Sequence, residues 1–172
     1  MAVPGDEWES IKAEGNALFG KGDWLKAAGA YTKAIRAAEG VGAGGPERAA
    51  LHSNRSAALL KLGKARQALA DADKACELRA GWDKAHMRRG AVLEALERPQ
   101  EALEAFEEAA RLADKPSRDA ALTIRRLRKW VETGEKPQPP EPAGGGGGGG
   151  GPKPAAFTFA RAGGGGGGAA GR

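Results

Sequence analysis

Five side chains hold most of the chemistry this sequence offers: Lys12, Asn16, Asn54, Lys84 and Arg88. Lys12 with Asn16, and Lys84 with Arg88, stand four residues apart, the spacing that puts two side chains on one helical face. Asn16 and Asn54 are the only two asparagines among 172 residues. Lysine supplies a point charge with three donors, and arginine grips a carboxylate through two parallel N–H bonds. An amide donates to a carboxylate oxygen and can accept from a peptide N–H. Donors gathered without a carboxylate among them are an anion site by composition. Two carboxylates held close together, as on a C-terminal aspartate, match five such groups better than one isolated anion. The expected ligand is therefore the free end of an acidic peptide.

For these residues to act together, the chain must carry three separate segments to one surface. Self-similarity supplies the means. Ser56-Ala57-Ala58-Leu59-Leu60 aligns with Gly90-Ala91-Val92-Leu93-Glu94 at an offset of 34, which also relates Ala68 to Ala102, Ala72 to Phe106 and Ala75 to Ala109. An earlier copy, Gly15-Asn16-Ala17-Leu18-Phe19 followed by Ala27, Tyr31 and Ala34, is displaced by 41, that is, 34 plus a seven-residue insertion around 41–46. Within each copy, Gly15, Ser56 or Gly90 is expected to meet Ala27, Ala68 or Ala102 where two antiparallel helices cross closely.

This period with small residues at these offsets resembles the tetratricopeptide repeat. The resemblance implies an all-α fold, a right-handed superhelix of three helix-turn-helix repeats and a C-terminal capping helix. The helices are expected at 6–21 and 24–39, 46–61 and 65–79, 83–96 and 99–113, with a seventh at 117–133. Pro99 suits a helix start, Ser117 an N-cap and Gly134 a stop. Each pair leaves an apolar stripe exposed, so neighbours must stack. In the seventh helix Ala120, Ile124, Leu127 and Val131 form the stripe that seals the array. Arg118, Arg125, Arg126, Arg128 and Lys129 form a solvated opposite face, which has no interleaved aromatic platform for nucleic acid. First helices line the concave wall, so Asn54 and Arg88, one period apart, share a column.

The repeat domain is thus read as 6–133, and 134–172 as a disordered Pro/Gly-rich tail. The proline-rich run 136–142 and the glycine tracts 144–151 and 163–168 cannot bury enough apolar surface to offset ordering entropy. Phe157 and Phe159 between the tracts read as linker, with a short docking motif as the alternative.

At the site the likeness is more specific. Lys12-Ala13-Glu14-Gly15-Asn16, Ser53-Asn54-Arg55-Ser56-Ala57-Ala58 and Lys84-Ala85-His86-Met87-Arg88 resemble the carboxylate-clamp tetratricopeptide domains of co-chaperones. In that family the matching lysine, asparagine, asparagine, lysine and arginine hold the C-terminal Glu-Glu-Val-Asp of the 70 and 90 kDa heat-shock chaperones. By the same likeness Phe19, Ala57, Leu60 and Lys61 border the pocket for the valine and upstream residues. Two departures stand out: the insertion after the first repeat, expected to form a surface loop, and Ala72 where a large aromatic is usual.

The totals fit a non-catalytic, monomeric cytoplasmic adaptor for such chaperone tails. Net charge is +5 with both signs well represented. One cysteine, Cys76, cannot form an internal disulfide, and a reducing compartment is expected. The start, Met-Ala-Val-Pro-Gly-Asp-Glu-Trp-Glu, lacks the basic and apolar regions of a secretory signal, and no stretch reaches the length of a membrane span. His52 and His86 share a repeat position but lack further zinc ligands; Cys76 reads as a buried packing residue. No nucleophile stands with a base, so no catalytic residue, metal or cofactor is expected. The alternatives are a general scaffold taking another acidic peptide or an internal helix for assembly or trafficking, and nucleic-acid binding through the basic seventh helix and the tail.

Overall fold

The computed structural model describes residues 7–115 and 117–137. Among them are seven α-helices and no strand: α1 Glu7–Gly20, α2 Trp24–Gly40, α3 Gly45–Lys61, α4 Ala65–Leu78, α5 Asp83–Ala95, α6 Pro99–Leu112 and α7 Arg118–Thr133. They pair as three hairpins, α1/α2, α3/α4 and α5/α6; each hairpin stacks on the next, and α7 packs on α6. The first helices also meet one another, α1 against α3 and α3 against α5, which forms the wall that the five donors require. No described helix is long and apolar enough to cross a membrane.

Leu51, Val92, Leu93 and Leu127 are fully buried, each stabilising the stack by about 1.5–3 kcal/mol. The close crossings have a more specific cause than two small residues in contact. A Cβ on Gly15 would lie 2.7 Å from the Tyr31 ring, and one on Gly90 would lie 2.7 Å from Phe106. The glycines are there to admit the aromatic of the second helix. In the middle hairpin the place of that aromatic is taken by Ala72, fully buried. Room then exists for Ser56, whose hydroxyl donates to the Ala68 carbonyl at 2.7 Å.

The seven-residue insertion does not become a long loop. Four residues, 41–44, join α2 to α3, the same number as the 79–82 link between α4 and α5. The extra residues lengthen α2 and α3 to 17 residues each, against 14 for α4 and α6. Helical residues hydrogen-bond their own backbone, so they are held more cheaply than an extended loop of equal length. Within the hairpins Gly22 and Gly63 have φ of 82° and 73°, the left-handed conformation that reverses the chain. Glu97 takes that place in the third turn with φ 58°.

Ser117 caps α7 by accepting from the Ala120 N–H at 3.0 Å. Gly134, at φ 70°, ends it by donating to the Trp130 carbonyl. The buried face of α7 includes Thr123 and Trp130 beside Ala120 and Leu127, while Ile124 and Val131 are half-buried at its margin. The basic face stays exposed as expected, and two of its arginines also bind the cap to the array: Arg126 to Glu94 on α5 at 2.6 Å, and Arg128 to Glu107 on α6 at 2.7 Å. The tail expected from 134 onward, with Phe157 and Phe159, lies outside the described residues beyond Pro137.

Candidate functional site

The α1–α3 contact brings the two asparagines together. Asn54 Nδ2 donates to Asn16 Oδ1 at 3.1 Å, across 38 residues of sequence. The same oxygen accepts the Tyr31 hydroxyl at 2.9 Å. With both donors on its oxygen, the Asn16 amide turns its NH2 group away from them, as a pure donor. Tyr31 comes from α2, where its ring fills the space left by Gly15.

Arg88 is the third member of the group. Burial pulls its pKa down to about 10, and Tyr31 opposes that shift electrostatically. Burial likewise pushes the Tyr31 phenol up to about 12, with Arg88 pulling the other way. Each is therefore part of the other's surroundings, and at neutral pH Tyr31 keeps its proton while Arg88 stays charged. Lys84 is half-buried in the first turn of α5, one turn before Arg88. Lys12 is half-buried one turn before Asn16, its ammonium 4.9 Å from the centre of the Trp8 ring. The structure thus joins Asn16, Asn54 and Arg88 through contact or through Tyr31. The two lysines stand one turn further toward the N-termini of α1 and α5.

The four residues expected to border the pocket fall into two groups. Ala57 is buried and Leu60 half-buried on α3. Phe19 and Lys61 gather around Trp24, the first residue of α2, which no spacing in the sequence marks as part of this surface. The Phe19 and Trp24 rings meet edge-on, with centroids 4.7 Å apart, and Lys61 Nζ lies 5.9 Å from the Trp24 ring. An aromatic edge beside a cation can receive aliphatic and acidic groups.

Next to Asn54 in sequence, Arg55 turns the other way and fixes α3. It makes two bonds to the buried Asp71 carboxylate, at 2.7 and 2.6 Å, and a third to the Thr32 hydroxyl at 3.1 Å. His52 Nδ1 bonds the same carboxylate at 2.9 Å. Helices α2, α3 and α4 are thereby tied at the level of Asn54. His52 is thus occupied structurally, and His86 Nε2 bonds the Ala80 carbonyl. No group of three or more metal-ligating side chains occurs among the described residues. Cys76 is half-buried where full burial was expected, and its desolvation pushes the thiol up to about 11.

The model of the tetratricopeptide repeat family matches residues 83–116, the third hairpin and the connection after it. The Hsp70-Hsp90 organizing protein of Triticum aestivum is 42% identical over 84 residues, 49% of this chain; the chain spans 13% of that relative's length. Among solved structures, the first TPR of Spaghetti (RPAP3), bound to the HSP90 peptide SRMEEVD, is 27% identical with a TM-score of 0.67. That match covers 75% of this chain and 96% of the domain. The Arabidopsis OM64 TPR domain is 35% identical with a TM-score of 0.65, covering 74% of this chain and 98% of the domain. With that identity over nearly a whole solved domain and the same stacked hairpins, the chain belongs to the tetratricopeptide-repeat family.

Proposed function

We propose that the wall formed by α1, α3 and α5 is a carboxylate clamp for the acidic C-terminus of 70 or 90 kDa heat-shock chaperones, and that the protein is a non-catalytic co-chaperone adaptor working in the cytosol. Lys12, Asn16, Asn54, Lys84 and Arg88 are the clamp, with Phe19, Ala57, Leu60 and Lys61 along its approach. The observation that carries this reading is the Asn54–Asn16 bond. Amides from two repeats thus lie side by side, and Tyr31, which bonds the same Asn16 oxygen, feels the charge of the half-buried Arg88. The peptide bound to the similar Spaghetti domain ends in Glu-Glu-Val-Asp, the chemistry that such a group suits.

In this mechanism the terminal aspartate brings two carboxylates. The lysines attract them as point charges, and Arg88 and the amides fix them with directed, charge-assisted bonds. A short peptide makes few contacts and loses conformational freedom, so the Kd is about micromolar. Calorimetric titration with SRMEEVD as the free acid and as the C-terminal amide tests the reading. The acid is expected to bind at least roughly tenfold more tightly than the amide, the effect of losing a charge-assisted hydrogen bond. Equal affinities overturn the clamp and favour a scaffold that accepts internal acidic segments.

A further inference from the structure

We infer that Tyr31, on the second helix of the first hairpin, is a positioning residue whose hydroxyl, acting through Asn16, sets the preference of the site for a terminal carboxylate over a terminal carboxamide. The inference rests on the clamp reading and adds to it a residue that need not touch the ligand.

The argument starts from the ambiguity of an amide. An asparagine can present oxygen or NH2 to a groove, and the difference in energy comes from its neighbours. Asn16 Oδ1 accepts two bonds, from Tyr31 at 2.9 Å and from Asn54 at 3.1 Å. In this orientation the Asn16 NH2 group is available to an incoming ligand, and it can only donate. A carboxylate accepts such a donor; the NH2 half of a carboxamide repels it.

Reversing Asn16 would bring its NH2 against the Asn54 NH2, so Asn54 would have to turn as well. The phenol oxygen would then accept instead of donate, and its proton would have to point elsewhere. Arg88, whose charge the phenol feels, opposes any orientation that turns the O–H dipole's positive end toward it. The phenol also stays protonated at neutral pH, so the donor is always present. Tyr31 is buried, with 2% exposure, and its ring is trapped against Gly15, so the hydroxyl cannot swing away. Without that hydroxyl, Asn16 keeps one donor of two and its orientation is less strongly held.

The test is a double-mutant cycle on the full chain with Tyr31→Phe, Asn16→Ala and the pair, titrated with SRMEEVD in acid and amide forms. Tyr31→Phe keeps the ring and its packing, and thermal melts check that the fold survives. The ratio of acid to amide affinity is expected to fall roughly fivefold in Tyr31→Phe, the effect of one net hydrogen bond. In the Asn16→Ala background the same substitution should change the ratio by less than about twofold, because the effect travels through Asn16. An unchanged ratio in Tyr31→Phe overturns the inference and leaves the clamp standing. A ratio that falls equally in both backgrounds also overturns it, since Tyr31 would then act without Asn16. A wild-type protein with no acid preference removes the clamp reading itself, and this inference with it.

Discussion

Gly15 lies so close to the Tyr31 ring that a Cβ built on it would stand 2.7 Å from Cε1. That crossing serves the site as well as the core, because the same ring presents its hydroxyl to Asn16. Gly15→Ala should gain up to about 1 kcal/mol of helix propensity and lose more to overpacking, which costs roughly 1–3 kcal/mol. A lower Tm is expected together with weaker peptide binding, since the ring that must shift holds Asn16. Gly90→Ala makes the same clash with Phe106 and should lower the Tm without the effect through Asn16. Thermal melts and peptide titration of both variants check this; equal losses of affinity would break the link between Gly15 and the site.

Lys12 and Arg88 should separate binding from stability in different ways. Lys12 rests over the buried Trp8, a cation–π contact worth about 0.5–2 kcal/mol, so Lys12→Ala should lower the Tm by a few degrees at most. Its charged hydrogen bond to ligand is worth about 1.5–3 kcal/mol, and affinity should drop at least roughly tenfold. Arg88 is desolvated enough to depress its pKa to about 10, and its directed bonds to a carboxylate have no substitute in an apolar chain. Arg88→Met should therefore abolish peptide binding, with thermal melts checking that the variant is still folded. A wild-type affinity in either variant counts against the clamp.

The seven helices were legible because the 34-residue period carries both helix-packing positions and turns, and each boundary matches to within about two residues. The convergence of Asn16 and Asn54 was legible for the same reason. Tyr31 was not, since an aromatic at a second-helix packing position reads as core, and nothing in the sequence reveals that its hydroxyl reaches Asn16. The path of the insertion was also hidden: residues 41–46 contain three glycines, which signal a loop, yet flanking helices could extend around them. The exposed face of α7 was legible, but the pairing of Arg126 and Arg128 was not, because a helical wheel shows which face is charged and not which acids on neighbouring helices reach it.

Glu97 should be the least comfortable residue in the hairpin turns. It stands one period after Gly63 with φ 58°, where a side chain crowds the backbone and glycine does not. Its carboxylate reaches Lys136 at 2.6 Å, an exposed pair of the kind that adds little to stability. Glu97→Gly should raise the Tm, and Lys136→Ala should change it hardly at all. A fall in Tm for Glu97→Gly would mean that the Lys136 contact outweighs the backbone strain.

Of the carboxylates that acid protonates, Asp71 should cost the array most. Burial alone would raise this carboxyl, but the hydrogen bonds and charges of Arg55 and His52 outweigh it and hold the group below its ordinary value. A carboxyl depressed in the folded state contributes stability that is present above its unfolded value, about 3.9, and is lost as pH falls through the folded value. The wild-type Tm should therefore drop below about pH 4. Asp71→Asn should have a lower Tm at pH 7, by the equivalent of roughly 3 kcal/mol, because Arg55 keeps its charge without a counter-charge. Its acid limb should also be flatter, since one proton-linked group has been removed. Melts from pH 2 to 7 of both proteins measure the two effects together. Parallel curves would show that acid unfolding runs through other carboxylates, and that the bridge from α3 to α4 does not govern it.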